Sequence, residues 1–281
     1  MHYTTLITAD ALHQNLDQAD WVIVDCRFSL ADASAGASAY RRGHLPNARY
    51  ADLNKDLSSA VKSYTGRHPL PDAETFSRKL GEWGIGNNTQ VIAYDDADGA
   101  FAARLWWLLR WVGLTRVAVL DGGLPYWKKQ GLPLTTHLPQ PKTTHYRSYQ
   151  DNSLWLSALD VQNHLAQKTI KLLDARTAVR YRGEQEPIDP IAGHVPGALN
   201  YPMQCNLDAQ HLFLPASKLK KQFQQLIDTT PSEQIVHMCG SGVTACHNLL
   251  AMEHAGLIGS KLYAGSWSEW ITNKNREVAR N

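Results

Sequence analysis

Short apolar runs alternate with amphipathic stretches along this chain, and they do so twice in nearly the same order. In the first half Thr8 caps a short helix through Leu16, and the apolar run Trp21–Asp25 reads as a strand ending in DCR. In the second half Ser157 caps a helix through Leu165, and Ile170–Asp174 reads as a strand ending in DAR. A helix over 72–83 then precedes the strand QVIAYD at 90–95, as a helix over 216–227 precedes QIVHMC at 234–239. Helices over 99–112 and 243–255 lead into strands at 117–123 and 261–265. The turns RGHLPNA (Arg42–Ala48) and AGHVPGA (Ala192–Ala198) also match, and offsets between the halves stay between 142 and 150 throughout. Alternating strands and helices of this kind predict an α/β fold with two tandem domains, each a parallel sheet flanked by helices. Periodicity lapses in the polar, proline-containing stretch from Pro133 to Asn152, which places the domains at 1–135 and 153–281.

Such a repeat separates scaffold from chemistry. Residues present in both halves serve the fold, so Asp25 with Arg27 and Asp174 with Arg176 read as strand-end ion pairs or turn contacts, and His44 and His194 as structural hydrogen-bonding groups. One position breaks the symmetry. The second half runs IVHMCGSGVTACHNLLAM over 235–252, a strand, a glycine-containing turn opening on Cys239, and a helix; the matching place in the first half is Asp95, followed by DADGAF. A turn entering a helix presents backbone N–H groups without intrahelical partners and a partial positive charge. Thiols in such settings ionise readily, as a nucleophile at neutral pH must. Cys239 is therefore the candidate nucleophile, while Cys246, two turns along the same helix face, fits buried packing. Cys26 and Cys205 are taken as structural, and Trp106, Trp107 and Trp111 as core.

Composition narrows the function classes. At 281 residues and 43% hydrophobic content the chain can bury two cores, and a formal net charge of +2 without a basic run argues against nucleic-acid binding. The first residues lack the basic start and apolar core of a secretory signal, and the longest apolar run, 101–114, is broken by Arg104 and Arg110, so no membrane span is expected. Four cysteines spread over this length are no disulfide framework, which points to a protein of the reducing cytoplasm. Cys239 and His237 alternate across a strand with no spaced cysteine pair, so zinc is not supported.

The two-fold repeat, the DxR strand ends, the GH[LV]P turns and the loop CGSGVTA at 239–245 resemble the tandem-domain rhodanese family of sulfurtransferases, over essentially the whole chain. Within it the loop is closest to that of the 3-mercaptopyruvate sulfurtransferases, since Gly240 and Ser241 stand where thiosulfate-specific members carry basic residues. The resemblance implies that Cys239 takes a sulfane sulfur as a persulfide and passes it to a thiol, to cyanide or to a thioredoxin-like protein, with no metal or organic cofactor. Backbone N–H groups from Gly240 through Ser241, Gly242 and Val243 to Thr244, with the hydroxyls of Ser241 and Thr244, are expected to cradle the sulfur anion. Matching the family's motif gives Arg180 the grip on the donor carboxylate, with Arg182 beside it. It also pairs Ser241 with His68 as a relay. Two places depart from the pattern: Pro187-Ile188-Asp189 stands where a second arginine is usual, and Asn54, between Asp52 and Asp56, stands where an aspartate orients the histidine.

Three other readings compete. Thiosulfate:cyanide transfer would use the same cysteine. A persulfide carrier or binding module would dock a partner without turning over a small donor. A cysteine phosphatase needs an arginine six residues after the nucleophile, where this chain has Ala245.

Overall fold

The computed structural model describes residues 2–280. Its chain divides into two compact units: residues through Ser59 with Leu70–Asp151 and Gln210–Leu212, and Ala60–Pro69 with Asn152–Ala209 and Phe213 onward. The segment Ala60–Pro69 thus lies in the first half of the sequence but folds with the second unit.

The first unit runs β1 (Leu6–Ile7), α1 (Ala9–His13), β2 (Trp21–Asp25), α2 (Ala35–Arg42), β3 (Arg49–Tyr50), α3 (Ala73–Glu82), β4 (Gln90–Tyr94), α4 (Ala102–Trp111), β5 (Val117–Leu120) and α5 (Gly123–Lys129). The second repeats it with β6 (Trp155–Leu156), α6 (Ala158–Ala166), β7 (Lys171–Asp174), α7 (Ala178–Tyr181), β8 (Leu199–Asn200), α8 (Ala216–Ile227), β9 (Ile235–Met238), α9 (Ala245–His254), β10 (Lys261–Tyr263) and α10 (Ser266–Trp270). Both sheets are parallel with equivalent strand orders, β1-β5-β4-β2-β3 and β6-β10-β9-β7-β8. The central strands β4 and β9 are buried along their whole length, as sheets covered on both faces require. Their apolar side chains join Ile23, Leu120 and Trp127 in one core and Leu172, Tyr263 and Trp267 in the other. Each such large side chain contributes roughly 1.5–3 kcal/mol on burial.

Sequence and structure agree where periodicity was strong. Thr8 accepts from the Ala11 N–H, and Ser157 forms a reciprocal cap with Asp160. The repeated DxR ends are ion pairs: Arg27 Nη2 meets Asp25 Oδ2 at 2.6 Å and donates to the Gly43 carbonyl at 2.8 Å, while Arg176 Nη2 meets Asp174 Oδ2 at 2.7 Å and donates to Gly193 at 2.8 Å. Each ties a strand end to the following GH[LV]P turn. His44 and His194 bond through Nδ1 to the carbonyls of Tyr40 and Tyr181, both at 2.8 Å, and stack on the same tyrosines at centroid distances of 4.0 and 3.8 Å. Trp106, Trp107 and Trp111 are buried on α4. Among the described residues no helix is long and apolar enough to cross a membrane.

The first unit keeps the strand-to-helix turn after β4 and fills it with a side chain. Asp95 is fully buried, and its Oδ1 accepts from the N–H groups of Ala97 and Gly99 at 2.8 and 2.9 Å, its Oδ2 from Phe101 and Ala102 at 2.8 Å each. Burial pushes this carboxyl upward, and the four amides pull against that shift. The turn formed by the DADGAF stretch is thus a cradle occupied by the Asp95 carboxylate. In Asp95→Asn the amide nitrogen would confront two N–H donors, so the variant should lose about 2–3 kcal/mol of stability, read from its urea midpoint.

Candidate active site

Strand β9 delivers Cys239 to the carboxyl end of the second sheet, where parallel α/β sheets present their ligand crevice. Two polar contacts anchor it from α10. Its N–H donates to Ser266 Oγ at 3.0 Å, and its carbonyl accepts from the Trp267 N–H at 3.0 Å. Ser266 itself has a φ of 54° and donates to the Tyr263 carbonyl at 2.9 Å. The next carbonyl, of Gly240, accepts from the Ser268 N–H at 2.9 Å. Cys239 is 2% exposed.

The turn is closed by Gly242, whose φ is 74°. A Cβ there would lie 2.1 Å from the Ala264 carbonyl oxygen, so neither the dihedral nor the space admits a side chain. Among the described residues, no carbonyl or carboxylate accepts the N–H groups of Gly240, Ser241, Val243 or Thr244. In the first unit the corresponding turn directs its amides onto Asp95. Thr244 stands at the N-cap of α9 without a side-chain cap bond.

Around this turn the second unit assembles a ring of polar side chains. Ser241 Oγ lies 2.7 Å from His68 Nδ1, both residues being buried. The segment carrying His68 is docked by Gly66, where a Cβ would come within 2.5 Å of the Gly265 carbonyl oxygen, and by Arg67, whose N–H donates to Ser268 Oγ at 3.0 Å. Within the first unit, Asp52 Oδ1 accepts from the N–H groups of Asn54 and Lys55 at 2.9 and 3.1 Å, and Asp56 accepts from the Asp52 N–H at 2.8 Å and pairs with Lys79 at 3.5 Å. Those carboxylates are engaged in their own turn.

Two guanidiniums flank Gly240: a Cβ placed on it would lie 2.9 Å from Arg67 Nη2 and 3.6 Å from both terminal nitrogens of Arg180. Arg180 forks onto Glu186, with Nη2 to Oε1 at 2.6 Å, and reaches Asp189 Oδ2 at 3.2 Å. Arg67 pairs with the other oxygen of Asp189. Glu186 Oε1 also accepts from the N–H groups of Ile188 and Asp189, both at 3.1 Å, and Glu186 Oε2 lies 3.4 Å from Arg176. Burial opposes ionisation of Glu186, but its bonds to Arg180 and these amides hold the carboxyl below its usual range. At Asp189 burial prevails and pushes the carboxyl upward. Burial likewise opposes the Arg176 charge, but Asp174, Glu186 and Cys239 outweigh it and raise that guanidinium.

The structure thus brings together Cys239, Gly240, Ser241, Gly242, Val243, Thr244, His68 and Arg180. Arg182 is not among them: its fork closes on Glu184 at 2.6 and 2.9 Å, on an exposed surface. Its sequence neighbour offers a carboxylate two residues away, and the solvated pair forms there. Arg67, Glu186 and Ser266 belong to the site without being singled out from sequence. Arg67 adjoins His68 in RHPLP, which was the available signal; Glu186 and Ser266 carried none. Of the remaining cysteines, Cys26 and Cys246 are buried and Cys205 is exposed, so Cys205 is not a packing residue. Burial, then Asp95, Asp25 and Asp56, push the Cys26 thiol far up, which leaves it inert.

The model of the rhodanese-like domain matches this chain twice, over residues 8–130 and 157–273. A "Probable 3-mercaptopyruvate sulfurtransferase" of Pseudomonas aeruginosa is 48% identical, with 99% of each chain covered. "Thiosulfate/3-mercaptopyruvate sulfurtransferase 2" of Arabidopsis thaliana is 33% identical over 97% of this chain and 86% of its own. The crystal structure of SseA from Escherichia coli, a 3-mercaptopyruvate sulfotransferase, superposes with a TM-score of 0.81 at 30% identity, covering 95% of this chain and all of that one.

Two measurements probe the frame of the site. Gly242→Ala should lose about 3 kcal/mol or more in chemical denaturation, because the turn must shift to clear the Ala264 carbonyl. His237, on β9 two residues before Cys239, is buried, and desolvation lowers its pKa from 6.5 to about 3. Below pH 6.5 the unfolded chain binds this proton and the folded chain does not, so stability falls as pH drops from about 6.5 toward 3, by up to about 1.4 kcal/mol per pH unit. His237→Gln should flatten the stability profile between pH 6 and 4 by close to one proton relative to wild type.

Proposed function

Because this chain belongs to the rhodanese-like domain family, of which it carries two copies, we propose that it is a sulfurtransferase moving sulfur from 3-mercaptopyruvate to a thiol or cyanide through a persulfide on Cys239. The observation that carries this reading is the placement of one cysteine at the mouth of an amide-lined turn, with a Ser241–His68 pair and Arg180 gathered around Gly240. Every residue needed lies in the second unit.

Arg180, whose Nε–Nη2 edge is held by Glu186, receives the donor carboxylate on its Nη1 side, which faces Gly240. The Cys239 thiolate then attacks the mercapto sulfur; the S–S bond forms as the C–S bond breaks, and the bonding pair leaves with the carbon as pyruvate enolate, which takes a proton to give pyruvate. Ser241 Oγ, oriented by His68, donates toward the carbonyl oxygen on which enolate charge develops. The persulfide is anionic, and the amides of the turn from Gly240 to Thr244 would hold it much as the turn after β4 holds the Asp95 carboxylate in the first unit. A thiol, a thioredoxin-like protein or cyanide removes the outer sulfur and returns the thiolate. No step calls for a metal or organic cofactor.

Thiosulfate is the second reading, since a guanidinium fork accepts a sulfonate as well as a carboxylate and the Arabidopsis relative carries both donors in its name. Steady-state specificity constants for the two donors, with wild type and Cys239→Ser, decide the matter. Mercaptopyruvate should lead by tenfold or more, about 1.4 kcal/mol of transition-state preference, and the serine variant should lose at least about a thousandfold. A lead for thiosulfate sinks the mercaptopyruvate assignment. Turnover of neither donor would make the protein a persulfide carrier.

A further inference from the structure

The donor side of the site carries a carboxylate that an anion-binding pocket has no evident use for. Asp189 is nearly fully buried, yet its two oxygens face the two guanidiniums that flank Gly240, Arg67 through one and Arg180 through the other. Glu186 already occupies the Nε edge of Arg180 at 3.1 and 3.2 Å. Asp189 therefore adds little to the pairing of Arg180 and supplies the balancing charge for Arg67. With Arg176, Arg67 and Arg180 set against Asp174, Glu186 and Asp189, three cations meet three anions beside a sulfur that must itself be anionic to react. A donor entering this space meets a region of no net positive charge, although it contains three arginines.

We infer that Asp189 is a specificity-determining residue that masks Arg67 and discriminates among sulfur donors by their charge, disfavouring doubly charged ones. The inference rests on the sulfurtransferase reading above. Its physical basis is that the repulsion between a fixed carboxylate and a donor scales with the donor's charge. Thiosulfate, with two negative charges, suffers it about twice over; mercaptopyruvate, with a single carboxylate charge, suffers it once and keeps its contact with the Nη1 side of Arg180. Burial of Asp189 protects the effect from salt screening.

The test is a comparison of KM and kcat for both donors in wild type, Asp189→Asn and Asp189→Glu. The asparagine variant should raise the specificity constant for thiosulfate about tenfold and that for mercaptopyruvate about threefold, both changes falling in KM, while the glutamate variant keeps the wild-type ratio between donors. Equal factors for the two donors, a loss with both, or a glutamate variant that shifts the ratio as far as asparagine does, would mark Asp189 as a structural tie for the 186–189 turn and overturn the inference. Should the asparagine variant fail to fold, Asp189→Ser is read in its place by the same criteria. If wild type does not use mercaptopyruvate, that assignment fails on its own, and the charge effect is then decided with thiosulfate against a singly charged alkanethiosulfonate.

Discussion

A negative charge buried at the end of a parallel strand needs donors that do not have to reorganise, and the strand-to-helix turn provides them. Backbone amides at such a turn have no partner of their own until something anionic arrives. In the first unit that anion is permanent, because Asp95 reaches back into its own turn and takes four N–H groups. In the second unit the equivalent residue is Cys239, whose shorter side chain carries a thiol instead of a carboxylate. One backbone device thus serves as a folding element in one half and, in the proposed reaction, as the cradle of an intermediate in the other.

This constraint explains why the turn is tied to its neighbours at so many points. The turn cannot flex without losing the alignment of its amides, and it is held by contacts that do not themselves touch sulfur: Ser266 on the Cys239 N–H, Trp267 on its carbonyl, and the Ala264 carbonyl packed against Gly242. The strain of a serine at positive φ is accepted at Ser266 because its hydroxyl bridges the Cys239 amide and the Tyr263 carbonyl at once. Beneath the turn, the Asp174–Arg176 pair ties β7 to the Gly193 turn, as its counterpart does in the first unit. The guanidinium of Arg176 also lies over Trp267 at 4.7 Å, which joins the ion pair to the helix that anchors the cysteine.

Electrostatics divides the site into two regions. On one side stand the backbone amides of the turn that Cys239 opens. On the other, arginines and carboxylates alternate so that full charges cancel locally, which keeps buried ions from leaving a net uncompensated charge. In the proposed reaction, such an arrangement favours recognition by the placement of guanidinium donors over attraction of any anion, and it makes each carboxylate of the network a candidate for tuning donor choice.

The sequence by itself determined the repeat, the alternation of strands and helices, the caps at Thr8 and Ser157, and the position of Cys239 in its turn. All of these are encoded by residues close together along the chain, where periodicity and capping chemistry act. The motif also pointed to Ser241, His68 and Arg180. Tertiary structure alone decided the rest. The edge strands β1, β3, β6 and β8 have two residues each, too few for any period to show, and exist only because a neighbouring strand offers its backbone. The bond between His68 and Ser241 spans 173 positions and that between Arg67 and Asp189 spans 122, so the entry of 60–69 into the second unit left no local trace. Arg180 and Arg182 are alike in sequence and part ways in space, since one finds buried carboxylates and the other an exposed neighbour. Local pattern specifies where a side chain sits along an element; which charges it will face depends on packing between elements far apart in the chain, and that only the folded structure supplies.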